Sequence, residues 1–154
     1  MVWQKRYSAP GSSPGTLMPL PDAPDRAVVT AIHYTATAYG EEPIVDLQAY
    51  LHQAPNHGVL WLNVDGLGDV QALEQMGAHF GLHLLSLEDV LNIPQRPKFE
   101  DFDTYQFLVF RMALMDREAL GDTEQVSLFL GPSYVLTFQE RLGGDLFEPV
   151  RQRL

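Results

Sequence analysis

In the first half of the chain, segments with a strand-type hydrophobic pattern alternate with segments whose apolar residues have helical spacing. Residues 27–34 and 59–64 are apolar runs with β-branched side chains, which predicts two strands. Residues 43–53 and 69–80 carry apolar side chains at helical spacing, which predicts two helices. Gly81 follows the second helix directly, and we expect the helix to end there.

A third helix is predicted to begin at Ser86. Ser86 is the candidate N-cap, and Asp89 stands three residues later at the capping-box position. Pro94 and Pro97 then close the helix, because proline lacks the backbone donor that a helix interior needs.

The second half of the chain is dominated by strand patterns. The Gly-Pro-Ser connection at 131–133 predicts that the strands on either side of it form an antiparallel hairpin. A last helix is predicted over 145–154, opened by Asp145 and with Pro149 in its first turn. Helices alternating with strands early and a meander late predict an α/β or α+β fold, a mixed β-sheet layered with helices. The strands are predicted at 98–102, 105–115, 125–130 and 134–139.

Three regions follow from these elements. Proline, glycine and serine crowd residues 1–26, which predicts an extended N-terminal arm with a disordered start. Residues 27–144 form the predicted α/β domain, and residues 145–154 begin a helix that stops in mid-pattern. We therefore expect the sequence to be a fragment of a longer protein.

Composition narrows the classes of function. The chain has 154 residues, enough for one domain with one sizeable core, and no run of about 18 apolar residues that could span a bilayer. Its 20 acidic and 10 basic residues give a net charge of −10, which argues against a nucleic-acid partner. The absence of cysteine excludes disulfides, thiolate zinc sites and cysteine catalysis.

Glu88 and Asp89 are the first candidates for chemistry. Adjacent helical positions point about 100° apart, so the two carboxylates are not expected to chelate one ion together. From the residues alone, the favoured interpretation is that they complement the helix dipole and cap free N–H groups.

His79 and His83 have the four-residue spacing of a helical zinc pair. Phe80 occupies the position that a catalytic glutamate would need, and Gly81 is expected to break the helix between the histidines. No third ligand is obvious, so His83 is expected instead to pack and hydrogen-bond at the helix junction.

The turn at 95–98, Gln-Arg-Pro-Lys, carries two basic residues that could bind an anion. Because a helix has just ended there, the favoured interpretation is structural, with Arg96 capping carbonyls or pairing with Glu100 or Asp101. These two acids and Asp103 are expected on the solvent face of an edge strand, with a second, weaker cation contact as the alternative.

Residues 83–100, HLLSLEDVLNIPQRPKFE, closely resemble the "H-P-L-x-L-E-D-x-L-N…Q-R-P-K" signature of the CorA family of magnesium and cobalt transporters. Leu84 stands where the family usually has proline. Further segments that resemble the family are P-G-T-L at 14–17, E-Q-V-S at 124–127, V-L-T-F-Q-E at 135–140 and F-x-P-V-R-x-R at 147–153.

The resemblance implies the cytoplasmic regulatory domain of a CorA-like Mg²⁺/Co²⁺ transporter, not an enzyme. It implies a homopentamer in which Asp89 faces an acidic residue on the neighbouring subunit's stalk helix and a regulatory Mg²⁺ bridges the two. Asp89 would then be half of an intersubunit metal site, with Glu88 a weaker candidate. Without the stalk, we expect weak or no Mg²⁺ binding by this fragment, which we expect to be monomeric or weakly associated.

The resemblance also implies a location and leaves alternatives. The full-length protein would lie in the inner membrane, with this domain on the cytoplasmic side and the membrane part in sequence beyond this chain. A zinc-transporting relative would share the fold. A stand-alone metal-dependent hydrolase would instead use His79, His83, Glu88 and Asp89 in one concave site, and a pure interaction module would not respond to divalent cations.

Overall fold

Strand pairing organises the chain into one mixed sheet. The structure is a computed structural model that describes residues 11, 13–19, 26–55, 57–114, 122–143 and 146–154. Its elements are β1 (Val28–Tyr34), β2 (Tyr39–Ile44), α1 (Leu47–Gln53), β3 (Val59–Asp65), α2 (Val70–Phe80), α3 (Leu84–Leu91), β4 (Lys98–Asp101), β5 (Gln106–Ala113), β6 (Thr123–Leu130), β7 (Tyr134–Gln139) and α4 (Glu148–Arg151).

The seven strands of the described residues lie in the order β2-β1-β3-β7-β6-β5-β4. Strands β3 and β7 are parallel, with Leu62 opposite Leu136, while the other neighbours are antiparallel. The hairpin predicted around residues 131–133 is confirmed as β6 and β7. A mixed sheet with helices is the predicted α+β architecture.

Side chains alternate between the two faces of this sheet. Along β3, Leu62 belongs to a large core cluster that also contains Leu73 of α2 and Leu87 of α3. The adjacent residue Trp61 points to the opposite face and belongs to a second cluster with Phe147, which lies beside α4. Helices α1 to α3 therefore cover one face, and α4 lies on the other. Each fully buried leucine contributes roughly 1.5–3 kcal/mol to this packing.

The prediction of a helix over 43–53 was wrong in its first part, because residues 39–44 form β2. Pro43 lies in this strand opposite Thr30, and β2 is an edge of the sheet, where a missing N–H is tolerated. Helix α1 begins at Leu47 because Asp46 caps it: its Oδ1 accepts a hydrogen bond from the Ala49 N–H at 2.9 Å.

The start predicted for the third helix was also wrong. Helix α3 begins at Leu84, and the Nδ1 of His83 accepts a hydrogen bond from the Leu85 N–H at 3.2 Å. Ser86 is a buried residue inside the first turn, so neither Ser86 nor Asp89 acts in a capping box. The end of α2 was predicted correctly, since Gly81 adopts φ 67°, the left-handed region that glycine favours.

The last helix is shorter than predicted. Helix α4 covers Glu148–Arg151, with Pro149 in its first turn, and turns continue to residue 153. Asp145, the predicted opening residue, lies outside the described residues, as do most of residues 1–26. Within the described ranges, no helix has the length and apolar character needed to cross a membrane.

Candidate cation site

The turn between α3 and β4 brings the acidic end of a helix against a basic strand residue. Helix α3 ends at Leu91, the peptide between Ile93 and Pro94 is cis, and β4 starts at Lys98. The chain thereby reverses direction, and Lys98 comes to lie beside Asp89 on the last turn of the helix.

Asp89 is held through both carboxylate oxygens. Its Oδ1 accepts a hydrogen bond from Gln95 Nε2 at 2.7 Å, and its Oδ2 accepts one from Lys98 Nζ at 2.5 Å. Lys98 Nζ also donates to Glu100 Oε1 at 3.0 Å, so one ammonium bridges two carboxylates. The side chains of Asp89 and Lys98 are 24% and 25% exposed, and solvent therefore still reaches the pair.

This arrangement corrects the interpretation of the basic turn. Lys98, rather than Arg96, pairs with the acids, and Arg96 is exposed. Glu100 lies on the same side of β4 as Lys98 and is half-buried, whereas Phe99 is 58% exposed. The Glu100 side chain is nevertheless 42% exposed and Asp101 and Asp103 are exposed, so the acids of this edge strand reach solvent as predicted, although Glu100 also pairs with Lys98.

Gln125 on β6 braces the turn from beneath. It is buried, its Oε1 accepts a hydrogen bond from the Gln95 N–H at 2.7 Å, and its Nε2 donates to the Asp89 carbonyl oxygen at 3.3 Å. The side chain and the backbone of the Asp89 region are thus both fixed by glutamines. Sequence reasoning did not assign this role, since the only signal was the E-Q-V-S motif.

Lys98 keeps its positive charge in this setting. Burial is the largest single influence and lowers the pKa of Lys98, but hydrogen bonds and charge attraction from Asp89 and Glu100 together outweigh it and raise the pKa above its ordinary value. The ammonium also stands 5.1 Å from the centre of the Phe107 ring. At neutral pH, Asp89 therefore faces a permanent cation of its own chain.

Glu88 belongs to a different set of contacts. Its Oε2 accepts a hydrogen bond from the Gly15 N–H at 2.8 Å, which ties residues of the arm to α3. Glu88 and Asp89 therefore bind separate partners, in agreement with the roughly 100° between adjacent helical positions.

The histidines do not assemble with these acids. The His79 ring packs against Phe80 at 4.7 Å, and the His83 ring caps α3 and stacks with Phe102 at 6.1 Å. Among the described residues, no three histidine or acidic side chains come together in a group able to hold a metal ion. The four residues of the hydrolase hypothesis are thus engaged at separate places.

A second acidic region, which the sequence did not indicate, lies on the α4 side of the sheet. Glu124 is 2% exposed, and its Oε2 has no hydrogen-bond partner among the described residues. Burial, followed by the charge of Glu140, raises the pKa of Glu124 to about 7, against a smaller lowering influence of the Arg141 N–H.

Helix α4 is attached to the sheet through polar and aromatic contacts. The Leu146 N–H donates to Gln139 Oε1 at 3.2 Å, and the rings of Trp61 and Phe147 meet edge to face at 5.5 Å. Arg151 Nε lies 3.3 Å from Glu41 Oε1 on the edge strand β2. The last described helix is therefore joined to both the centre and one edge of the sheet.

Comparison with known families accounts for the motif around Asp89. The family of CorA-like Mg²⁺ transporter proteins matches residues 56–153. The chain belongs to the CorA family. A relative from Thermotoga maritima, named cobalt/magnesium transport protein CorA, is 36% identical over 153 residues, which cover 98% of this chain and 43% of the relative. This CorA-family chain thus spans less than half the length of that relative.

Solved structures agree with the CorA-family fold. The full-length CmaX protein superposes with a TM-score of 0.58 at 16% identity, over 79% of this chain and 37% of the other. The ZntB cytoplasmic domain from Vibrio parahaemolyticus RIMD 2210633 gives 0.58 at 10% identity, over 75% of this chain and 45% of the other. The predicted family and fold class are both confirmed, whereas the roles of Asp89 and Glu88 and the region boundaries stay predictions.

Proposed function

We propose that this chain is the Mg²⁺-sensing, subunit-interface domain of a CorA-like divalent-cation transporter, and that Asp89 supplies one half of an intersubunit cation site. The observation that carries the proposal is the Asp89 carboxylate, which Gln95 holds through Oδ1 while Gln125 holds the Asp89 backbone carbonyl, and about a quarter of the side chain remains exposed. A preorganised carboxylate at a surface is what a shared ion site needs from each side.

The proposed mechanism is electrostatic. In a homopentamer, Asp89 of one subunit faces a carboxylate of the next, and the two repel. A hard dication held by oxygen ligands and retained waters relieves that repulsion and closes the interface. When Mg²⁺ becomes scarce, the ion leaves, the interface loosens, and the membrane part, which lies in sequence beyond this chain, is favoured to open.

The residues present fit half of such a site. Asp89 and Glu100 offer carboxylate oxygens of the kind that Mg²⁺ and Co²⁺ accept, and each oxygen has a second lone pair beyond its present hydrogen bond. The remaining ligands must come from a partner subunit and water. Glu88 is the weaker candidate, because it points away from Asp89 and its Oε2 instead binds the Gly15 N–H of the arm.

The test is a Mg²⁺ titration of the full-length protein in which protease resistance and oligomer size are measured at each Mg²⁺ concentration. We expect Mg²⁺ to protect the wild type and Asp89→Ala to remove most of that protection. Glu74→Ala, which removes an exposed acid of α2, is the control and should respond like wild type. Wild-type behaviour of Asp89→Ala would refute the sensor proposal.

The same titration distinguishes the alternatives. Parallel series with Co²⁺ and Zn²⁺ identify the cation to which the domain responds, which the 10% identity to the ZntB domain does not address. A hydrolase would bind metal within a single chain and lose it on His79→Ala or His83→Ala. An interaction module without ion chemistry would respond to none of the three cations.

A further inference from the structure

Lys98 occupies the position beside Asp89 that an incoming cation would favour. Its Nζ lies 2.5 Å from Asp89 Oδ2 and 3.0 Å from Glu100 Oε1, between the two carboxylates. The local charge of these three groups is −1 with the ammonium in place and −2 without it. Lys98 therefore neutralises half of the charge that would attract a divalent ion.

The position of this ammonium is set by the fold. Lys98 is the first residue of β4 and pairs with Val109 of β5, so its backbone is part of the sheet. Its side chain is only 25% exposed, and its Nζ lies over the Phe107 ring. The lysine is thus held against Asp89 by strand pairing as well as by charge.

A dication on Asp89 and an ammonium at hydrogen-bond distance from the same carboxylate repel one another. The cation can bind tightly only if Lys98 moves off Asp89, and Glu100 offers it a second acceptor. Gln95, being neutral, imposes no such repulsion and can keep its hydrogen bond to Oδ1.

We propose that Lys98 is an internal counter-ion that a divalent cation must displace from Asp89, and that it lowers the cation affinity of the site. This inference rests on the proposed function, since it takes Asp89 to be the cation ligand. It assigns Lys98 an affinity-setting role: the lysine keeps the site empty until the cation concentration is high.

The experiment measures Mg²⁺ affinity of the full-length protein, in which the partner subunit's ligands are present, by NMR from the shifts of the Gln95 side-chain amide. Lys98→Met removes the charge while keeping an apolar stem over Phe107, and Arg96→Met removes one positive charge from the same turn. We expect Lys98→Met to bind Mg²⁺ roughly tenfold more tightly than wild type at low salt, and Arg96→Met to stay within about twofold. The double variant Asp89→Asn/Lys98→Met should not show the increase in Mg²⁺ affinity that Lys98→Met shows.

The outcomes separate the two proposals. Suppose that Asp89→Asn weakens Mg²⁺ binding but that Lys98→Met binds Mg²⁺ no more tightly than wild type or than Arg96→Met. The counter-ion inference is then wrong, and the cation proposal survives. If Asp89→Asn binds Mg²⁺ like wild type, the cation proposal itself fails.

A measurement on the wild type covers the case in which Lys98→Met does not fold. The ε-methylene signals of Lys98 report directly on its ion pair. We expect them to shift during the Mg²⁺ titration with the same midpoint as the Gln95 amide. An unmoved Lys98 signal alongside a shifting Gln95 signal would overturn the displacement.

Discussion

Neutralising Glu124 should change how stability depends on pH. In the folded chain the pKa of Glu124 is about 7, against 4.5 for an ordinary glutamate, because burial and the charge of Glu140 disfavour its ionised form. The folded state therefore binds more protons than the unfolded state between these values. Stability contributed by the protonated group is present below about pH 4.5 and is lost as pH rises to about 7 and beyond.

The magnitude follows from the two pKa values. At about 1.4 kcal/mol per pH unit, the gap between 4.5 and about 7 corresponds to a loss of at most about 3 kcal/mol. Glu124→Gln keeps the shape of the side chain and removes the titration. We expect this variant to lack the fall in stability that Glu124 contributes over that range, and its free energy of unfolding to exceed that of wild type by about 1–3 kcal/mol at pH 8.

The assay is urea unfolding monitored by circular dichroism at pH 5, 6, 7 and 8. Glu74→Gln, a change at an exposed acid of α2, is the control and should follow the wild-type pH profile. If the wild-type and Glu124→Gln free energies of unfolding run parallel from pH 5 to pH 8, the assignment of this titration to Glu124 is refuted.

Three further substitutions test the fold and the site. Gln125→Ala should cost about 1–3 kcal/mol and speed hydrogen exchange of the Gln95 N–H, because that N–H loses its buried acceptor; unchanged exchange would contradict the bracing role. Leu73→Ala in α2 should cost about 2–5 kcal/mol in urea unfolding, since the side chain is fully buried. Gly58→Ala should lower the melting temperature, because φ is 77° and a Cβ would meet the Tyr34 carbonyl oxygen at 2.5 Å; an unchanged melting temperature would rule out this strain.

Elements with a strong period or a clear end signal were predicted from the sequence. Helix α2 combines apolar residues at helical spacing with Asp69 and Gly81 at its ends, and strand β3 is a largely apolar run interrupted only by Asn63 before its final Asp65. Strand β2 was missed because it is an edge strand with both faces largely exposed, so no alternation marks it. Its existence depends on pairing with β1, a tertiary contact that local sequence does not encode.

The candidate site was predictable only in part. The motif identified Asp89, but its ion pair with Lys98 spans nine positions and depends on how the turn after α3 folds. Helical spacing rules do not reach across such a turn, so Arg96 was expected to pair instead. Gln125 lies 36 positions from Asp89, and only the antiparallel packing of β6 and β5 beneath α3 brings it there.

The parallel pairing of β3 with β7 makes the two halves of the sheet interdependent. Paired residues of these two strands lie about 74 positions apart in the sequence. A buried hydrogen bond from the Thr137 hydroxyl to Asn63 Oδ1 also crosses the seam between β3 and β7. Without the seam, β1–β3 and β4–β7 would each expose an unpaired inner edge. We therefore expect neither half to persist alone, and unfolding followed by tryptophan fluorescence and by circular dichroism should coincide in one cooperative transition. A domain built this way can transmit a change at one edge of its sheet to the other without coming apart between them.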